Sequence, residues 1–207
     1  PELIVFEGTL NTTTRTLVEN YLAAKYDITL SGTDVYAGDT NGNGDYDRGV
    51  FGVGREAASD FHEAAETDGL RFDNPAGLDD GDYLMAGYAS ATNSAIGTDI
   101  AGVGGLEARM ERTWYIDRSN DAGSNLTADV TFSLTGAGLA GPAGNAGDYV
   151  LLARAADAAS GTAWTSLGAA TTVEDNDAIT FEGVALPDGQ EVALGTTDAA
   201  NSPIDSN

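Results

Sequence analysis

From residue 33 onward the chain is cut into short apolar runs, each closed by glycine, aspartate or asparagine, and this punctuation limits the possible folds more than any other feature. The candidate strands are GVFGVGR (49–55), DYLMAGY (82–88), RTWYIDR (112–118), ADVTFSL (128–134), DYVLLAR (148–154), TAWTSL (162–167), AITFEGV (178–184) and EVALG (191–195). Several alternate with period two: Trp114 and Ile116 against Thr113 and Tyr115, Val130 and Phe132 against Thr131 and Ser133, Ile179 and Phe181 against Thr180 and Glu182. Such alternation turns one face to a core and the other to water. Runs spaced about 12 to 20 residues apart, joined by turn signals such as DDGD, GNAGD and PDG, predict stacked antiparallel strands rather than βαβ units. The expected fold is therefore all-β, an antiparallel β-sandwich of Ig-like or jelly-roll-like type, with one N-terminal α-helix.

That helix is expected after a first strand at residues 3–6. Gly8 breaks the run, Asn11 is placed to cap, and from Thr12 to Tyr26 the large apolar side chains Leu17, Val18, Tyr21, Leu22 and Tyr26 follow the spacing of one helical face. Three threonines in the first turn are poor helix formers, so packing of the Leu17/Tyr21 face is expected to hold it. The organisation predicted is residues 1–32 as strand plus helix at a junction, 33–196 as the sandwich and 197–207 as a linker or tail. The stretch LTGAGLAGPAGNAGD (134–148) is expected to form a long surface loop.

Of the 207 residues, 33 are acidic and 9 basic, giving a formal net charge of −24, and Lys25 is the only lysine. A field of this sign repels phosphate backbones and anionic headgroups, so nucleic acid and acidic membranes are poor partners, and no apolar run is long enough for membrane insertion. Cations are favoured partners. Excess acid with little lysine also suits a halophilic setting, where salt shortens the range of self-repulsion to about 3 Å at 1 M. There is no cysteine, so disulfides and thiolate chemistry are excluded.

The stretch GDTNGNGDYDRG (38–49) places oxygen-bearing side chains at alternate positions: Asp39, Asn41, Asn43, Asp45 and Asp47, with Gly44 among them. Ca²⁺ takes about six to eight oxygens, and alternating ligands around a sharp glycine turn supply them. An EF-hand would need an acid where Val50 stands, so the expectation is a compact Ca²⁺ loop of the kind found in β-rich proteins, against the alternative of a solvated Asn-Gly turn. The acidic clusters Glu174–Asp177 and Asp79, Asp80 and Asp82 lack this spacing and read as turns.

No catalytic constellation emerges. His62 is the only histidine and is expected at the surface, no nucleophile elbow occurs, and 33 acids make any chance carboxylate pair uninformative. Trp114 is expected in the core. Tyr36, Tyr46, Tyr88 and Trp164 are the aromatics to consider for a sugar platform, and Asn11 and Asn125 head N-x-T sequons.

The stretch ELIVFEGTLNTTTRTLVENYLAAKYDITL resembles the closing strand and helix of concanavalin A-like, laminin-G-type domains, departing from that pattern at Asp27, where glycine is usual, and at Thr14, where glutamate is frequent. VFGVGRE, DGDYLMAGY, ERTWYIDRSND, ADVTFSL and GDYVLLAR resemble the domain of unknown function that follows such a unit in large secreted and cell-surface, adhesin-like proteins of Bacteroidota and marine bacteria. The resemblance implies an extracellular, cell-surface structural or adhesive role without catalysis. Its partners would be neighbouring domains or subunits of the same assembly, with glycans as further candidates. The alternatives are a carbohydrate-binding module and a self-assembling filament subunit joined by strand addition.

Overall fold

The computed structural model describes residues 2–40, 42–119, 125–141 and 143–205. One helix, α1 (Thr12–Tyr26), precedes β1 (Arg48–Ala57), β2 (Asp60–His62), β3 (Ala65–Thr67), β4 (Leu70–Ala76), β5 (Asp82–Tyr88), β6 (Ala95–Ile96) and β7 (Ala108–Met110). Then come β8 (Trp114–Ser119), β9 (Thr127–Ser133), β10 (Tyr149–Ala155), β11 (Thr165–Ala169), β12 (Thr172–Glu174), β13 (Ala178–Val184) and β14 (Gln190–Thr196). All strand pairs are antiparallel. The larger sheet runs β11-β10-β14-β8-β5-β1-β2, with β7 and β6 joined to β14, and the smaller runs β12-β13-β9-β4-β3. The two stack as a sandwich, as the punctuated runs predict.

The core between the sheets is aromatic at its centre. Trp114, fully buried as expected, meets Phe132 edge-on at 5.6 Å, and Phe132 meets Phe181 at 6.1 Å, while Phe51 stacks on Phe72 at 4.8 Å. The smaller sheet keeps one face in water, so β9 alternates buried and half-buried residues along its length. The larger sheet is covered on both faces, and every residue of β5 is buried. A sheet buried on both sides loses period-two patterning, which is why DYLMAGY reads as a continuous apolar run. Over one half of its outer face lie α1 and residues 33–47, with Leu17, Ala24, Tyr36, Tyr46, Val50, Tyr83, Met85 and Tyr115 forming a second core. Over the other half, Leu106, Val150, Leu152, Trp164 and Ala193 form a third.

Helix α1 has the predicted limits and the predicted cap, since the Asn11 side chain accepts Thr14 N–H at 2.8 Å. The face it buries differs from the expected one. Thr13, Thr16, Leu17, Asn20, Ala23 and Ala24 are buried, whereas Val18, Tyr21 and Leu22 are half-buried and Tyr26 is exposed. Small and polar side chains win here because their hydrogen bonds are met: Asn20 donates to Thr33 O at 2.7 Å and accepts Val35 N–H at 2.9 Å, and Thr13 Oγ1 accepts Glu56 N–H at 3.1 Å. Small side chains also let the helix axis approach the sheet closely.

Other expectations are corrected. Residues 3–6 form no strand, and they make no backbone hydrogen bond to any described residue. The stretch 197–205 is not a loose tail, because Ala199 and Ile204 are buried in the main core. His62 is half-buried on β2. The 134–148 segment sends Leu134, Ala137 and Leu139 into the core rather than lying wholly on the surface. Glu174–Asp177 is a turn, as expected: it joins β12 to β13, Asp177 N–H donates to Glu174 O at 2.9 Å, and Asp175 and Asn176 are both left-handed at φ 52° and 56°.

Candidate functional site

The predicted cation loop lies between α1 and β1 and is held down by aromatics. The Tyr36 hydroxyl donates to Tyr46 O at 2.8 Å, and the Tyr46 ring stacks on Tyr115 of β8 at 5.2 Å. Gly38 must be glycine for this seating, because a Cβ there would stand 2.3 Å from the Tyr36 hydroxyl oxygen. Gly44, at φ +102°, is packed as closely on the Asp157 carboxylate. Within the loop, Tyr46 N–H donates to Gly38 O at 2.9 Å and Asn43 N–H to Thr40 O at 2.9 Å, closing successive turns.

These turns decide where the predicted ligands go. Asp39, Asp45 and Asp47 line one crevice of about 560 Å³, opposite the C-terminal end of α1. Asn43 is used differently: its amide nitrogen donates to Ala37 O at 2.8 Å, tying the loop to itself. Asn41 lies outside the described residues. Two acids that spacing did not single out complete the crevice, Asp27 from the helix cap and Asp34 from the following segment. Among the described residues, no three acidic or histidine side chains converge closely enough to form a ready-made metal centre. The crevice is instead an open carboxylate-lined recess.

Its electrostatics follow from this crowding. Burial, and then the neighbouring Asp34, Asp27 and Asp47, raise the Asp39 carboxyl above its ordinary value. Beside the crevice lies a second recess bordered by Asp34, Tyr36, Ala37, Thr40, Asp117 and Ser119. Asp117, on β8 and facing the same side as Tyr115, accepts Ala37 N–H, and Ser119 Oγ donates to Val35 O, so β8 fastens residues 35–37 at two points. Burial foremost, with Asp188, Asp34 and Asp39 adding to it, pushes Asp117 up to about 6 despite the Ala37 N–H. Sequence spacing missed Asp117. Its signal was the alternation of β8, which places it with Tyr115, but the burial of that face is set by α1 and the 33–47 segment.

A second polar group lies under the opposite half of the outer face. Asp99 accepts Arg109 Nη2 at 2.7 Å and Arg154 Nη1 at 2.8 Å, and Arg154 Nε donates to Glu191 at 2.5 Å. The Arg154 guanidinium lies 4.0 Å from the Trp164 ring, and Trp164 Nε1 donates to Asp99 O at 2.9 Å. Burial alone would raise Asp99, but Gly161 N–H and the two arginines outweigh it and hold the carboxylate below its ordinary range. Two arginines and two carboxylates cancel in charge, and each acid already has its partners. This group locks the 97–106 and 156–164 loops onto the sheet. The aromatics considered for a sugar platform, Tyr36, Tyr46, Tyr88 and Trp164, are all buried, so they form no exposed platform.

No helix among the described residues is long and apolar enough to cross a membrane. No curated protein and no solved structure matches the chain. Residues 14–190 match a family described as a domain of unknown function, DUF8202, a range that takes in most of α1, β1 to β13 and the acidic crevice. The chain belongs to the DUF8202 family.

Proposed function

We propose that this chain is a non-catalytic structural and adhesive module of a bacterial surface protein or filament, working outside the cell and stiffened by Ca²⁺. The observation that carries the reading is the junction at α1. The helix end and the segment leading to β1 meet there around Asp27, Asp34, Asp39, Asp45 and Asp47, five carboxylates brought together from the helix cap and that segment. An ion with hard-oxygen preference neutralises that repulsion and draws the segment onto the helix end, and an open recess lets it keep some of its water. The arginine–carboxylate group and the doubly covered sheet support a rigid body whose purpose is to hold geometry. The extracellular setting and surface partners rest on the laminin-G-like and surface-protein resemblance of the sequence. A carbohydrate-binding role has no exposed aromatic platform to support it at Tyr36, Tyr46, Tyr88 or Trp164.

The test is thermal melting with Ca²⁺, with chelator, and with NaCl at matched ionic strength. Ca²⁺ at about 100 times its Kd raises stability by about 2.7 kcal/mol by mass action, and the D39N/D45N variant loses that rise while NaCl leaves it untouched. A Ca²⁺ effect no larger than that of matched salt, or one that survives D39N/D45N, removes the crevice from the account.

A further inference from the structure

Beside the acidic crevice, the smaller recess of about 290 Å³ is lined by side chains that accept hydrogen bonds and have no hydrogen left to give. Its three hydroxyls are each committed: Tyr36 donates to Tyr46 O at 2.8 Å, Thr40 to Ala37 O at 2.8 Å and Ser119 to Val35 O. Its two carboxylates, Asp34 and Asp117, have no ion-pair partner among the described residues. Asp34 is exposed, whereas Asp117 is only 7% exposed. One Asp117 oxygen, Oδ2, accepts Ala37 N–H, and the other, Oδ1, has no hydrogen-bond partner among the described residues. Oδ1 is nonetheless not sealed from solvent, and the recess is the surface that Asp117 borders, so this oxygen faces into it.

These features define the occupant. A lining of acceptors takes a donor, and a buried carboxylate with a free oxygen takes a positively charged one, because a buried charge left without a partner is costly. Burial foremost, then the negative charges of Asp188, Asp34 and Asp39, hold the Asp117 carboxyl up at about 6. The chain's own cations are engaged elsewhere: Lys25, the only lysine, is held by Glu2, and the side chain of Arg118, next to Asp117 on β8, donates to Leu186 O at 3.1 Å. A metal ion fits poorly, since Ca²⁺ takes about six to eight oxygens and this recess brings two carboxylates where the crevice brings five. A guanidinium pairs best with both oxygens of one carboxylate, and Asp117 offers one. An alkylammonium has three hydrogens, each needing a single acceptor, and accepts nothing itself. Its methylene stem can lie along Val35 and Tyr36, which form part of the lining.

We propose that this recess binds the ammonium end of an alkyl chain supplied by another molecule, a lysine side chain or a free amine, with Asp117 Oδ1, Asp34 and the Ser119 hydroxyl oxygen accepting its three hydrogens. The net charge of −24 draws cations to the whole surface, so selectivity rests on Asp117 and not on the field. Because Asp117 and Ser119 also fasten residues 35–37 to β8, the Ala37 N–H reports directly on the site. Asp34 borders the crevice as well, but the inference does not depend on the Ca²⁺ reading, and its test is run with chelator present.

The test is amide NMR of the ¹⁵N-labelled chain at constant pH and ionic strength, with both carboxylates ionised, titrating n-butylamine, which has the stem and head of a lysine side chain. n-Butanol, butylguanidinium and, in a chelator-free series, Ca²⁺ are the comparisons. The Ala37 amide resonance is expected to shift to saturation with the amine, to stay in place with the alcohol, and to saturate at a lower concentration of the amine than of butylguanidinium or Ca²⁺. Asp117→Asn keeps an acceptor for Ala37 N–H, and an unchanged or raised melting temperature shows that it folds. It is expected to weaken amine binding about tenfold or more, the size of one charge-assisted hydrogen bond. Glu182→Gln removes one exposed charge from β13 in the other sheet and leaves the affinity unchanged. The tighter binder of Nα-acetyl-lysine methylamide and cadaverine names the source as a partner protein's lysine or a free diamine. No shift at Ala37, an equal affinity in Asp117→Asn, or tighter binding of Ca²⁺ or butylguanidinium than of the amine overturns the proposal.

Discussion

Asp60, on β2, caps a helix that begins 48 residues earlier: its carboxylate oxygens accept Thr12 N–H and Thr13 N–H at 2.9 Å each, and its carbonyl accepts the Thr13 hydroxyl at 2.9 Å. With Asn11 serving Thr14, three of the free donors at the helix start are met, and the helix is tied to the sheet by the same bonds. The Thr13 N–H foremost, together with that of Thr12, draws the Asp60 carboxyl down to about 2 from 3.8. A depressed carboxyl contributes stability that is present above about 4 and is lost as pH falls towards about 2. Asp60→Ala is expected to lower the melting temperature at pH 7 and to flatten its fall between pH 4 and 2, seen by circular dichroism across that range.

Asp117 has the opposite sign. Its folded value of about 6 lies above the ordinary 3.8, so its penalty is absent at low pH and grows as pH rises from about 4 to about 6. Asp117→Asn keeps an acceptor for Ala37 N–H and removes the buried charge. It is expected to stabilise the protein at pH 8 by up to about 3 kcal/mol, from a shift of roughly two units, and to leave stability at pH 4 unchanged. Urea titrations at the two pH values give the difference.

Arg154 joins Asp99 to Glu191 inside the sheet's outer cover, and all three side chains are nearly inaccessible. Arg154→Met leaves the buried Asp99 with Arg109 alone and the buried Glu191 with only the Tyr46 and Thr113 hydroxyls. Removing one partner of a buried ion pair costs about 3–5 kcal/mol, and that loss is the expected shift in equilibrium denaturation. Because Trp164 stacks on the same guanidinium, its fluorescence is expected to change in the folded state as well.

Asp27 ends α1 in the left-handed region at φ 53°, the position where glycine carries no side-chain strain. Asp27→Gly is expected to stabilise the chain by about 1 kcal/mol. It also removes one carboxylate from the crevice, so the gain in melting temperature is expected to be larger at low salt than at high salt.

Much of the fold was legible. The limits of α1, the Asn11 cap and the strands DYLMAGY and AITFEGV match their predicted ranges, because caps, turns and long apolar runs are local signals. Of the strands missed, β2, β3, β6, β7 and β12 are two or three residues long, too short for any period to register, and β4 was missed because it buries only Leu70 and Phe72 before running into Asp73, Asn74 and Pro75, which read as a turn. Helix orientation was misread because size alone favoured Leu22 and Tyr26, whereas the partners that satisfy Thr13 and Asn20 come from Glu56, Asp60, Thr33 and Val35.

For the candidate site, alternation found Asp39, Asp45 and Asp47, which share one crevice, and it also selected Asn43, whose amide the loop uses internally. Asp27 and Asp34 join them, and Asp117 borders the adjoining recess, only after the chain folds, since they come from a helix end, a linking segment and a distant strand. The sequence by itself determined the antiparallel sandwich, the place of its helix and the excess of negative charge, all properties of neighbours along the chain. Only the tertiary structure decided which acids crowd together and which apolar segment is left uncovered. Both depend on α1 and residues 33–47 closing over one half of a sheet, and long-range packing of that kind leaves no periodic trace in the sequence.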